Sequence, residues 1–469
     1  MSISLNTNLS SLISQHALAN NSHALRTTLE RLSTGLQLNH GSDNPSGFLT
    51  SDLLGAEKAG ISGALNNVQR ASNIVGTAEG GLGEIANTLT ALQDLVKTAA
   101  NSGGQSADEL AAGQAQADSL LSEVNRIAGA TTFEGKRLLN GTLDYTLSGV
   151  ATPSIQNLRV NSARLTGAAP QSVTVAVKTS ALTGKIGYAG GALIPANNVV
   201  LEIGGNAGTD QVSIGGGASV ANIIASINTA KATTGVSAAV SGLALRLDSV
   251  GFGSDQFVSL KTISGAFVPT ATRAVGTDAV VTVNNVLASA RGKDITLRTA
   301  TLDTQFTLST AFNIAASTST FNVVGGGATF AIGSKVTDAN KVSLGVQSVT
   351  TANLGDAANG LLATLGSGGV NALTSSNLTT AQSVIDTAIK QVSLLRGRLG
   401  SFQKYTLDGT SSALQTTLAN VTSAQSSITD ADFAAETSNL SRQQILAQAG
   451  ASALATANSQ NQSVLTLLR

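Results

Sequence analysis

Three histidines, His16, His23 and His40, are the only imidazoles in 469 residues, and all lie near the start of the chain. None belongs to a His-Glu-x-x-His pair, the helical spacing that sets two ring nitrogens and a general base on one zinc ion, so no ligand role is expected of them. Asp430, Asp432 and Glu436 come nearest to a carboxylate cluster for acid–base chemistry. They follow Thr429 at the head of an apolar-periodic segment, where acids complement a helix macrodipole, and they are read in that role. The glycine triplets Gly215–Gly217 and Gly325–Gly327 lack the lysine that follows the glycines of a phosphate-binding loop and read as turns. With no cysteine, thiolate nucleophiles, thiolate metal sites and disulfides are excluded. No enzymatic activity, metal or cofactor is expected.

What the chain holds in quantity is apolar side chains at fixed spacing. Hydrophobic residues make up 42% and charged residues only 12%, about half the usual quarter, which excludes a charge-solvated disordered chain. Twenty-seven basic residues balance 27 acidic ones, so no field draws the chain to nucleic acid or an anionic membrane. No stretch of about 20 apolar residues exists, and membrane insertion is not expected. Met1 to Leu12 carries neither a basic n-region nor an apolar h-region, so a cleaved signal peptide is not expected either.

The elements that place these side chains are long helices at both ends. Alternating steps of 3 and 4 from Ile61 visit Ala64, Val68, Ala71, Val75, Ala78, Leu82, Ile85, Leu89, Leu92, Val96 and Ala99 without a polar residue, the mark of a coiled-coil seam. Asn44-Pro45 is a start signal and Asn101 to Gly104 a stop, predicting one helix of about 55 residues. A second helix follows from the capping box Ser106-x-x-Glu109 and ends at Gly129. Toward the C-terminus Ala381, Ile385, Ala388, Val392, Leu395, Leu399 and Phe402 keep the same spacing, and after a phase slip Leu414, Leu418, Val421 and Ile428 resume it. Seams that match at the two ends pair with each other, giving one bundle from which the centre projects.

Two further stripes need partners on both sides. Leu5, Leu9, Leu12 and Ile13 share one helix face, while Leu18, Leu25, Leu29, Leu32 and Leu36 lie about 200° away. Leu446, Ala449, Ala453, Ala457, Val464 and Leu468 form a stripe with almost no charge beyond Arg442. One partner within the chain covers only one face, so neighbouring subunits are expected to cover the other. Eight glycines between Gly47 and Gly83 each cost about 1 kcal/mol in a helix, so something beyond propensity must hold it.

The centre changes period. Of 49 glycines, 27 lie between Asp144 and Gly366, separating short β-branched runs at Val173–Val177, Val199–Ile203, Val236–Val240, Ala244–Leu247, Phe257–Leu260 and Val280–Val283. Ser219 to Thr229 is the one good helix there. The fold class is therefore α+β and multidomain, a long coiled-coil-like helical bundle from paired N- and C-terminal segments with a β-rich central insert. The expected division is 1–43 with 430–469 as terminal helices, 44–143 with 376–429 as the bundle, and 144–375 as an exposed insert in two lobes, about 144–270 and 271–375.

At both ends the chain resembles bacterial flagellin. The residues that carry this are Leu5-Asn6-Thr7-Asn8, Leu29 to Leu36, Thr77-Ala78-Glu79-Gly80 and Leu95 to Ser102, then Asp430 to Ala434, Glu436, Ser438 to Arg442, Gln444-Ile445-Leu446, Gln448-Ala449 and Val464 to Arg469. The resemblance covers about the first 140 and last 90 residues, and Val199 to Leu260 looks like an insert common in flagellins. Asn44-Pro45-Ser46-Gly47 departs from the family, which more often has acidic and small residues there. The resemblance implies a structural subunit that polymerises into the flagellar filament for motility, extracellular, passed unfolded through a type III channel without signal cleavage. It implies termini that are disordered in the free subunit and fold into nested helical tubes on assembly. Partners implied are copies of itself, an export chaperone, and hook-junction and cap proteins.

Flagellins sensed by the animal Toll-like receptor present an arginine-rich patch with an acidic partner. The corresponding positions are Ala91, Gln93, Asp94, Gln116 and Leu120, a degenerate patch that implies weak or absent recognition. Two other readings compete, a flagellin-like hook–filament junction protein and a secreted adhesin or glycan-binding protein acting through the insert. Phe252, Phe257 and Phe267 fall in strand-like core patterns, so no aromatic platform for sugar is evident.

Overall fold

A computed structural model of the chain describes residues 8–101, 104, 106–165, 170–188, 197–241, 244–356 and 359–467. Its helices are α1 (Leu9–Thr34), α2 (Pro45–Ala99), α3 (Ala107–Ala130), α4 (Val220–Thr229), α5 (Lys231–Thr234), α6 (Leu378–Ser401), α7 (Asp408–Thr429) and α8 (Phe433–Leu467). Local chemistry sets their starts. Asn8 Oδ1 accepts the N–H of Ser11 at 2.9 Å, and Gly35, at φ 73°, ends α1 in the left-handed region. Asn44 Oδ1 accepts the N–H of Gly47 at 3.0 Å ahead of α2. Ser106 and Glu109 close a full capping box on α3.

All twelve positions of the series from Ile61 to Ala99 are buried. On α6, Ala381, Ile385, Ala388, Val392, Leu395 and Leu399 are buried, and Phe402 is half-buried. The phase slip has a backbone form. After Phe402 the 4-3 series would place its next member at Thr406, but the buried residue is Leu407, one position later. A π turn over Phe402–Leu407 takes up that extra residue between α6 and α7, so Leu414, Leu418, Val421 and Ile428 again share a stripe, of which Val421 is buried.

Two of the glycines in α2 are explained by close packing. A Cβ at Gly60 would stand 2.7 Å from the carbonyl oxygen of Ser334, and one at Gly81 would stand 2.5 Å from Thr131 Oγ1. Gly63, Gly76, Gly80 and Gly83 have nothing within 4 Å of such a Cβ, and nothing among the described residues explains them.

The insert holds two antiparallel lobes. In the first, a five-stranded sheet in the order Val286–Leu287, Val280–Val283, Gln171–Thr179, Thr318–Gly326, Tyr145–Ser148 shares a core with a four-stranded sheet in the order Ser289–Arg291, Asp294–Arg298, Leu302–Leu308, Ile155–Ala163. Phe321, Val175, Val281 and Phe306 fill that core. In the second, the sheet Arg273–Val275, Phe257–Ser264, Val199–Gly205, Gly208–Ile214 packs with the sheet Lys185–Gly187, Ala244–Ser249, Val236–Ser241 and with Ile223 and Ile227 of α4. The lobes do not follow one another with a border near residue 270. The second, within 185–275, is nested in the first, which draws on Ala181 and earlier residues and on Ala279 and later ones. The reason is that Gln171–Thr179 pairs with both Val280–Val283 and Thr318–Gly326, so the chain must return through the first lobe after finishing the second.

By packing, the chain divides into two compact units, one of Met1–Arg70, Ala331–Asn340 and Tyr405–Arg469, the other of Ala71–Phe330 and Lys341–Lys404. These borders differ from the expected 43/44 and 429/430, because α2 (Pro45–Ala99) runs uninterrupted across the border between Arg70 and Ala71 and contributes to both units.

Candidate assembly surface

Within the unit that holds both termini, α1 and α8 pair antiparallel. Asn8 Nδ2 donates to the carbonyl of Ala457 at 2.9 Å, and Ser11 Oγ donates to Asn458 Oδ1 at 2.7 Å. At the other end of the pair, Arg31 Nη1 lies 3.2 Å from Glu436 Oε1. The loops beyond are stitched by Gln37 N–H to Thr429 O at 2.7 Å and Ala431 N–H to Gly35 O at 2.9 Å. Ser11, Thr28, Glu436 and Ala457 are the buried residues of this seam. Small and polar side chains thus hold the fully buried positions of the pair, Leu18 packs beside Gly450 half-buried, and Leu9, Leu12, Ile13 and Leu29 are left outside.

That outside face is extensive. Leu9, Leu12 and Ile13 are 63%, 60% and 62% exposed, and Leu29, Phe433, Ile445 and Leu446 are exposed as well. Exposed large apolar side chains in this number mark an interaction site rather than ordinary surface. Burying each side chain contributes about 1.5–3 kcal/mol. Seven of them, each about half exposed, therefore offer on the order of 5–10 kcal/mol, comparable to the cost of about 4–15 kcal/mol for lost freedom on association.

The expected inner-core residues fall into three groups. Leu9, Leu12, Leu29, Leu36, Leu446, Ala449 and Ala453 are exposed, while Leu18, Leu25 and Leu32 are half-buried. Leu5 and Leu468 lie outside the described residues, and Val464 lies in α8 with its side chain outside them. Ala457 departs from the expectation that its stripe is buried only between subunits, because it packs on α1 within the same chain under the Asn8 contact. The acidic trio also divides. Asp432 Oδ1 accepts the N–H groups of Ala434 and Ala435 at 2.9 and 3.1 Å and caps α8, and Asp430 accepts from Thr429 Oγ1 at 3.0 Å. Glu436 stands in the first turn of α8, as expected of a macrodipole acid, but it has a second role. Its carboxylate is buried against α1, where a charge needs a partner, and Arg31 supplies it.

Apolar periodicity missed Asn8, Ser11, Thr28, Arg31 and Asn458 because it ignores polar residues. The one available signal is Glu436 itself, the single acid in α8. The histidines do not converge. His40 Nε2 meets Glu30 Oε1 at 2.9 Å and His16 faces Asn20, both on the surface. Among the described residues no three His, Asp or Glu side chains are grouped to hold a metal, and no helix is long and apolar enough to cross a membrane.

In the other unit Ala91, Asp94 and Gln116 are exposed, and Gln93 and Leu120 half-buried. Gln93 Nε2 donates to Asp386 Oδ1 at 2.7 Å, and Asp94 pairs with Lys97 at 3.4 Å. The insert's aromatic faces are occupied. Arg273 sits 4.2 Å over Phe257, Lys293 sits 4.6 Å over Phe252, and Tyr188 packs on Phe267 at 4.7 Å between centroids. The sugar-platform reading therefore gains no support.

Residues 5–144 match the bacterial flagellin N-terminal helical region and residues 382–468 the bacterial flagellin C-terminal helical region. Flagellin B of Helicobacter pylori is 28% identical and B-type flagellin of Pseudomonas aeruginosa 28%, each over 100% of both chains. Flagellin of Salmonella typhimurium is 29% identical over 99% of both. Among solved structures, flagellar hook associated protein-3 from Legionella pneumophila matches 80% of this chain and 98% of its own at 12% identity and a TM-score of 0.32. Two terminal helical regions recognised in the right order, and flagellins that align over the whole chain, place the chain in the bacterial flagellin family, the structural subunits of the flagellar filament.

Proposed function

We propose that the chain polymerises with copies of itself through the exposed face of the α1–α8 pair, with 1–43 and 430–469 forming the inner layer of the filament. The observation that carries this is the make-up of the pair, in which small and polar residues hold the fully buried positions while Leu9, Leu12, Ile13, Leu29, Ile445 and Leu446 stay exposed. An isolated chain gains nothing from such an arrangement, whereas a neighbouring copy buries the leucines. The seam of α2 and α6 supports the layer around it, and the insert faces outward. Transport by type III export without a cleaved signal, and contact with an export chaperone, hook-junction and cap proteins, belong to the same proposal, which the family resemblance supports. The patch at Ala91, Gln93, Asp94, Gln116 and Leu120 lacks the cations needed for charge-assisted contacts, and weak Toll-like receptor recognition is the consequence.

Electron microscopy of purified subunit after seeding is the test. Micrometre-long filaments from the parent and none from Leu9→Asp or Leu12→Asp variants are the expected result, and normal filaments from those variants would refute the assignment of this face.

A further inference from the structure

The segment that returns from the first lobe to α6, residues 345–356 and 359–373, carries little regular structure, and by composition it belongs to the insert. Its packing says otherwise. Val346, Val349, Leu354, Leu362, Leu365 and Leu373 are all buried, yet none is a member of either insert core. The short turn Leu362–Leu365 packs on α3 and α6, and Gly355–Asp356 packs on α6.

The polar contacts repeat one device, a bundle side chain that grips this segment's backbone. Gln391 on α6 takes both groups of one residue, with Oε1 accepting the N–H of Gly355 at 3.0 Å and Nε2 donating to its carbonyl at 2.7 Å. Gln114 on α3, itself buried, donates to Leu365 O at 2.9 Å and accepts from Leu373 N–H at 2.7 Å. Asn125 accepts the N–H of Thr351 at 3.0 Å, and Arg398 Nη2 donates to Gly345 O at 2.7 Å. A side-chain amide that both donates and accepts acts as a neighbouring strand would, and it satisfies buried backbone groups that irregular chain leaves open. Among the described residues its hydrogen bonds to the lobe lie at the segment's start, where Gly345 N–H bonds Asn161 O at 2.8 Å and Arg159 Nη1 bonds Gln347 Oε1 at 3.0 Å.

We propose that residues 345–356 and 359–373 form a strap of the helical bundle rather than the closing part of the insert, and that α3 and α6 depend on it to stay packed. The link to polymerisation rests on the filament reading above, but the strap itself is tested in the free subunit.

Native-state hydrogen exchange on the full chain separates the possibilities. Leu365→Ala, and the milder Gln391→Met in case the first is too damaging, should speed exchange in α3 and α6 by roughly tenfold or more while the strands Gln171–Thr179 and Val280–Val283 keep parent rates. Phe321→Ala, in the first lobe's core, should do the reverse. Strap variants that speed the lobe strands instead, or that speed lobe and bundle together, would overturn the proposal. Failure of the parent to form filaments while this exchange pattern holds would count against the filament reading alone.

Discussion

Arg31 Nη1 and Glu436 Oε1, 405 residues apart in sequence, meet at 3.2 Å and join the start of α8 to the last turn of α1. The carboxylate is the more buried partner, so its loss removes a charge-assisted hydrogen bond and leaves the guanidinium short of a partner, a change of about 1.5–3 kcal/mol. Glu436→Gln should therefore raise the critical concentration for polymerisation by roughly 10- to 100-fold. The measurement is subunit remaining in the supernatant after sedimentation, and an unchanged value would remove the pair from the assembly machinery.

Ala453 and Ala457 sit one turn apart on α8 but differ in surroundings, the first exposed and the second buried on α1. Ala453→Asp should leave α1–α8 contacts intact and abolish filaments, because an uncompensated charge costs several kcal/mol only once a neighbour covers it. Ala457→Asp should disrupt the pair itself. Cross-linking between cysteines placed at positions 8 and 457 should persist in the first variant and fail in the second.

Removal of the two lobes should be tolerated when the strap is kept. Val346 N–H bonds Leu143 O at 2.9 Å, so a short Gly/Ser linker from Asp144 to Gly345 closes the gap. Joining Thr142 to Ser376 instead deletes the strap along with the lobes. Circular dichroism and sedimentation should find the first variant helical and polymerising, and the second with a melting temperature lower by roughly 10 °C or more.

Burial works against the charge of Asp118, but the hydroxyl and N–H of Ser367 and the Gln114 amide hold its carboxyl below the ordinary value of 3.8. A depressed folded value means that the native state binds fewer protons than the unfolded chain. The resulting stability is present above about pH 4 and is lost as pH falls through the folded value. Asp118→Asn should be less stable than the parent at pH 7, and the difference should shrink below pH 4. Denaturant titrations at pH 7 and pH 3 measure it, and a gap that is constant with pH would contradict the assignment.

Depolymerised subunit should activate Toll-like receptor reporter cells poorly. Gln93 spends its amide on Asp386, and Asp94 is paired with Lys97, so the patch offers a receptor neither free cations nor a matching acid. Half-maximal activation at concentrations typical of a strongly sensed flagellin would refute this.

The helical ends were legible in the sequence because their information is local. A 4-3 apolar series, Asn44-Pro45, and the Ser106–Glu109 box each specify a helix or its start from neighbouring residues, and the buried set from Ile61 to Ala99 follows them. Even the π turn left a trace, as a one-residue slip after Phe402. Tertiary structure alone decided the nesting of the lobes, which depends on Gln171–Thr179 pairing with strands more than 100 residues away. It alone decided that Ala457 and Glu436 face inward, since a helix of low polarity contrast does not reveal which side its partner takes. And it alone attached residues 345–356 and 359–373 to the bundle, because Gln114 and Gln391 grip backbone groups that every residue carries, and such a contact leaves no signature in the sequence of the segment held.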